Sequence, residues 1–384
     1  MSEWKEYKLG EITTEIGDGI HGTPNYSEDG EFYFINGNNI SNGKVIIKGD
    51  TKRVNRIEFE KYKKLLSNRT ILLSINGTIG NVGFYNNEKC ILGKSACYFN
   101  LKDNVDKNFV YYTFLTDDFQ SHLLNIATGT TIQNVPLKGL RESIILLPPP
   151  DEQKRIASIL TSIDDKIDLL HRENATLEVM AETLFRQWLI EEAKDDWDEM
   201  PLTKIANFTN GLACQKYPPK NDIEKLPVLK IRELANGISS DSDYATTEVA
   251  NEYIVHAGDV IFAWSASLMV KIWDGEDCVL NQHLFKVTSE SFPKWFYYCW
   301  CQYHLNEFIA IAQSHATTMG HIKRGDLENT MVLVPSNDEL KVMSDQFDCI
   351  IQKLENNNKE ICTLIQTRDN LLPKLMNREI IIHG

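Results

Sequence analysis

The sequence repeats itself once, and this duplication constrains the fold more than any other feature. The matched positions keep their order along the chain: Trp4, Leu9 and Ile12 with Trp197, Leu202 and Ile205; Cys90-Ile91-Leu92 with Cys278-Val279-Leu280; Phe109-Val110-Tyr111-Tyr112 with Trp295-Phe296-Tyr297-Tyr298; Leu147-Pro148 with Val334-Pro335. The offset falls from 193 near the start of the repeat to 187 near its end. An ordered series of matches at a nearly constant offset indicates two copies of one structural unit.

Each copy begins with a globular domain of mixed secondary structure. Short apolar and β-branched runs are broken by Gly, Asn and Pro, a pattern typical of strands joined by turns. Aromatic-rich amphipathic segments at 108–124 and 294–312 predict helices near the end of each domain. We therefore predict an α+β fold with two tandem α+β domains, whose strand order the sequence leaves open.

A long helix follows each domain. Apolar residues recur at alternating spacings of four and three, which is the heptad pattern of a coiled-coil seam. The seam positions are Ile156, Leu160, Ile163, Ile167, Leu170, Asn174, Leu177, Ala181, Leu184 and Trp188 in the first copy, and Leu340, Met343, Phe347, Ile350, Leu354, Asn357, Ile361, Leu364, Arg368, Leu371 and Leu375 in the second. Asp151 and either Asn337 or Asp338 are the predicted N-caps.

The two long helices are predicted to pair with each other as an antiparallel coiled coil. Asn174 and Asn357 then fall near the middle, where a polar core residue fixes the register at some cost in stability. The alternative is that each helix packs only on its own domain. The predicted boundaries are a first domain at 1–150, helices at 151–192 and 337–376, a second domain at 193–336 and a tail at 377–384.

The sequence carries none of the catalytic motifs that we sought. Gly77–Gly83 has glycines at every third position but does not follow GxGxxG, and Leu92-Gly93-Lys94-Ser95 lacks the first glycine of a phosphate-binding loop. The nine histidines form no HExxH, and the eight cysteines form no CxxC pair. We expect no catalytic residue and no metal site, reduced thiols, and, because neither a signal peptide nor a membrane span is evident, a cytoplasmic location.

Charge is distributed unevenly, although the chain as a whole carries −14. Residues 1–150 hold 17 basic and 17 acidic side chains, whereas residues 151–197 hold 6 and 12. A basic patch that contacts DNA phosphates is therefore compatible with an acidic chain, and basic partners could supply further contacts.

Several polar and basic residues suit nucleic acid. Basic residues suit phosphates, and amides or Arg on loops suit base edges. The candidates in the first domain are Asn36, Asn38, Asn39, Lys52, Arg53, Arg56, Lys63, Lys64, Asn76, Thr130, Gln133 and Asn134; those in the second are Lys216, Lys220, Lys230, Arg232, Thr317, His321, Lys323 and Arg324. Ordinary turn chemistry and a solvated helix face are the competing interpretations.

The order of domain, Pro-Asp-Glu-Gln helix start, heptads, domain and second heptad helix resembles the specificity subunit of Type I restriction-modification enzymes. Gly-Thr-Thr-Ile at 129–132 strengthens the likeness, whereas Ala316-Thr317-Thr318 and Glu339-Leu340 in the second copy depart from it. The resemblance implies two target recognition domains that each read one half of a bipartite DNA site. It also implies helices that space the domains and dock two methyltransferase subunits.

The resemblance further implies that S-adenosylmethionine belongs to those partner subunits, that this chain needs no cofactor, and that motor-nuclease subunits can join the assembly. Two other functions stay open. One is the similar specificity subunit of a Type IIB system, whose partner combines methylase and nuclease. The other is a coiled-coil scaffold that binds only proteins.

Overall fold

The computed structural model of the chain describes residues 4–129, 132–221, 223–239, 241–314 and 320–380. The chain divides into two compact units, Met1–Lys166 with Leu364–Gly384, and Ile167–Thr363. Two candidates for DNA binding, Thr130 and Thr317, lie outside the described residues.

The first domain is an α+β domain built around a four-stranded antiparallel sheet. Its strands are β1 (Lys5–Lys8), β2 (Thr13–Asp18), β3 (Phe32–Ile35), β4 (Ile40–Ser41), β5 (Lys44–Val45), β6 (Arg53–Val54), β7 (Thr70–Ser74), β8 (Val82–Phe84), β9 (Cys90–Leu92), β10 (Ala96–Leu101) and β11 (Ile144–Leu147), and its helices are α1 (Leu9–Ile12), α2 (Arg56–Tyr62), α3 (Lys107–Leu115), α4 (Asp117–Ile126) and α5 (Leu137–Glu142), followed by the long α6 (Pro150–Arg186). The main sheet has the order β2-β10-β7-β8, and a second sheet, β6-β3-β9, pairs β3 with β9 in parallel. All five residues of β7 are buried, as expected for a strand covered on both faces.

The second domain repeats this architecture. Its strands are β12 (Asp198–Pro201), β13 (Asn207–Asn210), β14 (Lys225–Leu229), β15 (Tyr244–Thr246), β16 (Ile254–Val255), β17 (Val260–Ala263), β18 (Met269–Ile272), β19 (Cys278–Leu280), β20 (Leu284–Thr288) and β21 (Met331–Val334), and its helices are α7 (Leu202–Ile205), α8 (Ile231–Asn236), α9 (Lys294–Tyr303), α10 (Leu305–Ser314) and α11 (Arg324–Asn329), followed by the long α12 (Asn337–Met376). The main sheet, β13-β20-β17-β18, is antiparallel, and β14 pairs in parallel with β19. The duplication in the sequence is therefore a duplication of strand order.

The aromatic-rich segments differ from the prediction of one helix each. In the first domain the helix breaks at Thr116, which leaves the helical conformation and accepts a hydrogen bond from the Phe119 N–H as the N-cap of α4. In the second domain α9 ends before His304, and α10 starts at Leu305. Each segment is thus a pair of short helices, because a capping side chain or a turn interrupts the apolar periodicity.

The first long helix begins at Pro150, one residue before its predicted start, and the second spans Asn337–Met376. Pro150 occupies the first turn of α6, where its missing N–H costs nothing, so Asp151 is not the cap. At the start of α12, Ser336 takes the capping role predicted for Asn337 or Asp338, and the Glu339 carboxylate accepts hydrogen bonds from the Ser336 N–H (3.1 Å) and hydroxyl (2.6 Å). Hydrogen bonds from Lys194 and Ser336 lower the pKa of Glu339 to about 2.

Both long helices contribute to the core of each unit. In the first unit Ile156 and Leu160 of α6 share a cluster with Leu375 of α12 and with the aromatic residues of α3. In the second unit Phe185 of α6 and Phe347 of α12 share a cluster with α9. The Phe347 ring stacks on Trp295 with centroids 4.1 Å apart. Packing on the domains therefore accompanies contact between the helices.

Contacts between α6 and α12 occur in both units. In the first, the Arg368 guanidinium donates to the Asp164 carboxylate at 2.9 Å. In the second, the buried Asn357 amide donates to Asn174 at 2.8 Å and to Glu173 at 3.0 Å. The Asn174 amide donates in turn to Asn358 at 2.6 Å. Among the described residues, no helix contains an apolar stretch that is long enough to span a membrane.

Candidate nucleic-acid interface

One end of the main sheet of the first domain collects three of the predicted amides. The Asn76 side chain, which follows β7, donates to the Asn134 side chain at 3.3 Å, and the two backbones form an antiparallel bridge. Ser95, which precedes β10, donates to the Asn36 side chain at 3.1 Å. The Ser95 carbonyl also accepts from the Ile75 N–H, so that Asn36, Asn76 and Asn134 gather around one strand end. Sequence reasoning missed Ser95, which carries no signal of its own.

The neighbouring asparagines have different surroundings. Asn39 is buried, and its amide donates to the Ile46 carbonyl at 3.0 Å and the Thr51 hydroxyl at 3.2 Å. Asn38 is exposed beside it, and Gln133 is exposed beside Asn134. Asn39 thus has the environment of a residue that holds its loop, whereas Asn38 and Gln133 face solvent.

The second domain has an equivalent strand end with different side chains. Ser265 forms the backbone bridge to His321 that Asn76 forms to Asn134 in the first domain. The Trp264 ring lies 6.2 Å from the His321 ring and 5.7 Å from the Phe285 ring. The duplicated scaffold therefore presents an amide pair in one copy and an aromatic cluster in the other. Sequence reasoning missed Trp264, although its position next to a buried strand could have indicated it.

The basic stretch of the first domain is spread over several elements. Lys52 precedes β6, Arg53 lies in it above the Tyr33 ring at 5.0 Å, and Arg56 begins α2. Lys63 is exposed and pairs with Glu60 at 2.5 Å, and Lys64 is half-buried. Lys52, Arg53 and Arg56 are all exposed, so this part of the stretch presents positive charge to solvent.

The basic candidates of the second domain fall into two groups. Lys220 pairs with Glu248, Lys230 pairs with Asp243, and Arg232 pairs with the buried Glu233 at 2.7 Å. Their charge is therefore largely compensated within the domain. Lys216, at the end of a short 3-10 helix, is exposed.

The remaining basic candidates of the second domain lie together. His321, Lys323 and Arg324 line one cleft with Trp264 and Phe285. Among the described candidates of this domain, these three line the same cleft. They lie between the strand end and the start of α11.

The described part of the chain offers no group of three or more His, Cys, Asp or Glu that could hold a metal ion. The eight cysteines are free thiols, six of them buried. Burial raises the pKa of Cys90 to about 12, so this thiol is not a nucleophile at neutral pH. The polar groups at the strand ends suit hydrogen bonding and charge recognition.

The comparisons with known proteins agree with this arrangement. The family described as "Type I restriction modification DNA specificity domain" matches residues 1–179 and 194–365, one match for each repeat. The chain belongs to this family. The Type I specificity domains thus cover both copies of the duplicated unit, and the predicted resemblance is confirmed.

Among curated relatives, the chain is 25% identical to the specificity subunit of the Type I restriction enzyme MjaIX of Methanocaldococcus jannaschii, over 99% of this chain and 96% of that protein. It is 23% identical to the HindI specificity subunit of Haemophilus influenzae, over 50% of this chain and 42% of that one. A crystal structure of a Type I S subunit from Mycoplasma genitalium shares the fold with a TM-score of 0.57, at 18% identity, over 97% of this chain and 96% of that one.

The two neighbouring asparagines allow a test of which residues hold the loop. Asn39→Ala removes three hydrogen bonds of this buried side chain, to the Ile46 carbonyl, the Thr51 hydroxyl and the Asn36 N–H, and is expected to lower the free energy of unfolding by about 1–3 kcal/mol. Asn38→Ala, at an exposed site one residue away, is the matched control and should stay within about 0.5 kcal/mol of the parent. Urea denaturation of both variants measures this. Equal losses would show that burial of the Asn39 amide is not what stabilises the loop.

Proposed function

We propose that this chain is the DNA-recognition subunit of a Type I restriction-modification complex, and that each domain reads one half of a bipartite site. The observation that carries this proposal is the match of the specificity-domain family to both repeats. The chain itself performs no methyl transfer or cleavage, and S-adenosylmethionine would be held by partner methyltransferase subunits.

In the first domain the proposed base-reading residues are those at the strand end. Asn76, Gln133 and Asn134 carry amides that can donate and accept at once, which suits the adenine edge in the major groove. Asn36 and Asn38 lie in the neighbouring loop. Asn39 is not one of the proposed base-reading residues, because its amide is already hydrogen-bonded inside the domain. Lys52, Arg53 and Arg56 would contact phosphates.

Binding by the complex tests this function. With its net charge of −14, the isolated chain attracts DNA weakly, so tight and specific binding should require the methyltransferase subunits. In the assembled complex, Gln133→Ala with Asn134→Ala should weaken binding to the cognate site by about 1–3 kcal/mol for each base that is no longer read. Binding to unrelated DNA should not change.

The matched control is Asn104→Ala, an exposed amide in the loop that follows β10, at the end of that strand away from Ser95. Electrophoretic shifts with cognate and unrelated duplexes measure both affinities. A complex that binds all sequences equally, or that loses both affinities in parallel when Gln133 and Asn134 are replaced, would contradict the proposed reading.

We also infer that α6 and α12 pair as an antiparallel coiled coil along their length. The two contacts described above support the antiparallel direction. Asn174 follows Asp164 along α6, whereas its partner Asn357 precedes Arg368, the partner of Asp164, along α12. The buried seam residues of both helices are also spaced by heptads. Such a rod would serve as a spacer that fixes the distance between the two domains.

The asparagine pair provides a test of this pairing. In a double-mutant cycle of Asn174→Leu and Asn357→Leu, the two changes should be non-additive, with a coupling of about 0.5–3 kcal/mol in the free energy of unfolding. The reason is that either change alone breaks the hydrogen bond between the two amides and leaves one of its partners beside an apolar side chain, whereas the double change removes both partners. The control cycle pairs Asn174→Leu with Asn356→Leu, at an exposed position of the same helix turn. Additive behaviour in both cycles would contradict the proposed register.

The spacer role predicts that helix length sets the gap in the DNA site. The segments 165–171 of α6 and 360–366 of α12 lie between the Asp164–Arg368 and Asn174–Asn357 pairs, so we expect them to face each other. Duplicating both adds one heptad to each helix, which keeps the seam on the same face and lengthens the rod by about 10 Å.

Because base pairs rise about 3.4 Å each, this variant should prefer a gap about three base pairs longer, with both half-site sequences unchanged. Sequencing of methylated motifs in cells that carry the variant with its partner subunits measures the gap. Unchanged spacing, or a change in a half-site sequence, would show that the helices do not set the distance.

A further inference from the structure

A cleft of about 470 Å³ lies in the second domain where the main sheet ends against the start of α11. Its floor is aromatic and consists of the half-buried rings of Phe208, Trp264 and Phe285. The Trp264 ring stacks on Phe285, with an angle of 27° between the ring planes. The cleft therefore offers a firm apolar surface to a ligand.

The rim of the cleft is cationic. His321, Lys323 and Arg324 are exposed there, and none of the twelve described residues that line the cleft is Asp or Glu. The carboxylate of Glu328 is 3.9 Å from the Arg324 guanidinium, which is too long for a hydrogen bond, and the Arg324 side chain is 81% exposed. In a chain of net charge −14, a concave surface lined without acids is complementary to an anion.

The first domain lacks this chemistry at the equivalent positions. β13 pairs with β20 in the second domain in the same register as β2 pairs with β10 in the first. In this register Phe208 corresponds to Ile16, and Phe285 corresponds to Cys97. Trp264 corresponds to Ile75 in the same way. The Trp264 N–H donates to the residue just before β20, and the Ile75 N–H donates to the residue just before β10. The aromatic floor is therefore a feature of the second copy.

The rim differs between the copies as well. Lys323 is the residue directly before α11, and its counterpart directly before α5 is Pro136. Arg324 corresponds in the same way to Leu137, and the backbone bridges align His321 with Asn134. The duplicated scaffold thus carries cations at this place in the second domain and uncharged side chains in the first.

We propose that this cleft binds the backbone of one DNA strand, with a phosphate between Lys323 and Arg324 and the adjoining deoxyribose against the Trp264 ring. The inference rests on the proposed function and extends it, because it assigns different DNA contacts to the two domains at this place. The second domain binds the backbone here through its charged side chains, whereas the first offers amides to base edges. The cleft adjoins His321, which occupies the place of the base-reading Asn134, so a strand in the cleft would lie next to the half-site.

Phosphate binding by side chains leaves a signature in the salt dependence of affinity. Removing one cation that neutralises a phosphate lowers the slope of log affinity against log salt concentration by about 0.9. In the complex with methyltransferase subunits, Lys323→Ala with Arg324→Ala should reduce this slope by about one, because the two side chains share one phosphate, and it should weaken binding to cognate and unrelated DNA alike. Lys194→Ala, which removes an exposed lysine at the start of the same domain that is paired with Glu339, is the matched control and should leave the slope unchanged.

The aromatic floor is tested separately. Trp264→Ala should weaken binding several-fold with an unchanged salt slope, and Trp264→Tyr, which keeps a ring, should restore most of the affinity. Thermal unfolding of each variant shows whether the domain remains folded. If Trp264→Ala unfolds the domain, Trp264→Tyr and the Lys323 and Arg324 variants still decide the proposal.

The outcomes separate this inference from the function on which it rests. If the parent complex binds its site specifically but the Lys323 and Arg324 variants keep the parent slope and affinity, the cleft does not bind the backbone and the proposed function stands. If these variants relax one half-site sequence without changing the slope, the cations read bases instead, and the phosphate assignment is wrong. If they lose the methyltransferase subunits, the cleft is a protein-docking site, which also overturns it. A parent complex without sequence preference would overturn the proposed function itself.

Discussion

The Asp164 carboxylate joins three elements of the first unit. It accepts a hydrogen bond from the Tyr112 hydroxyl of α3 at 2.7 Å and another from the Arg368 guanidinium of α12 at 2.9 Å, while belonging to α6. Burial and this hydrogen bond raise the pKa of Tyr112 above its usual range. One charge thereby fixes the domain and both helices together, and a charge-assisted network of this kind costs stability if any partner is removed.

The duplication also repeats the attachment of each domain to the start of its own helix. The Trp4 indole donates to Glu152 at 3.2 Å, and the Trp197 indole donates to Glu339 at 3.1 Å. In both copies, a tryptophan just before the first strand of the domain donates a hydrogen bond to a glutamate in the first turn of the long helix that follows the domain. A fixed junction at this point fits the proposed spacer role, because flexibility there would vary the distance between the two half-sites.

The features with a strict period were predictable from the sequence. The duplication, the heptads and the position of Asn174 opposite Asn357 follow from spacing alone, and the structure contains that hydrogen bond. The predicted N-caps were wrong, because Pro150 already lies in the first turn of α6 and Ser336 caps α12.

Properties that depend on tertiary contacts could not be read in this way. Asn38 and Asn39 are indistinguishable in sequence, yet only Asn39 is buried with its amide satisfied. Lys230 and Lys323 look equally basic, but Asp243 neutralises the first from thirteen residues away. The aromatic floor combines Phe208 of β13, Phe285 of β20 and Trp264 just after β17, so no local pattern predicts that the three rings meet.

In the proposed function, one chain carries two independent readers on a common spacer. Exchange of residues 198–335 for the corresponding domain of another specificity subunit tests this arrangement, with methylated motifs sequenced in cells that also carry the methyltransferase subunits. We expect one half-site to change, while the other half-site and the gap between them are retained. A change in both half-sites, or a continuous motif without a gap, would contradict it.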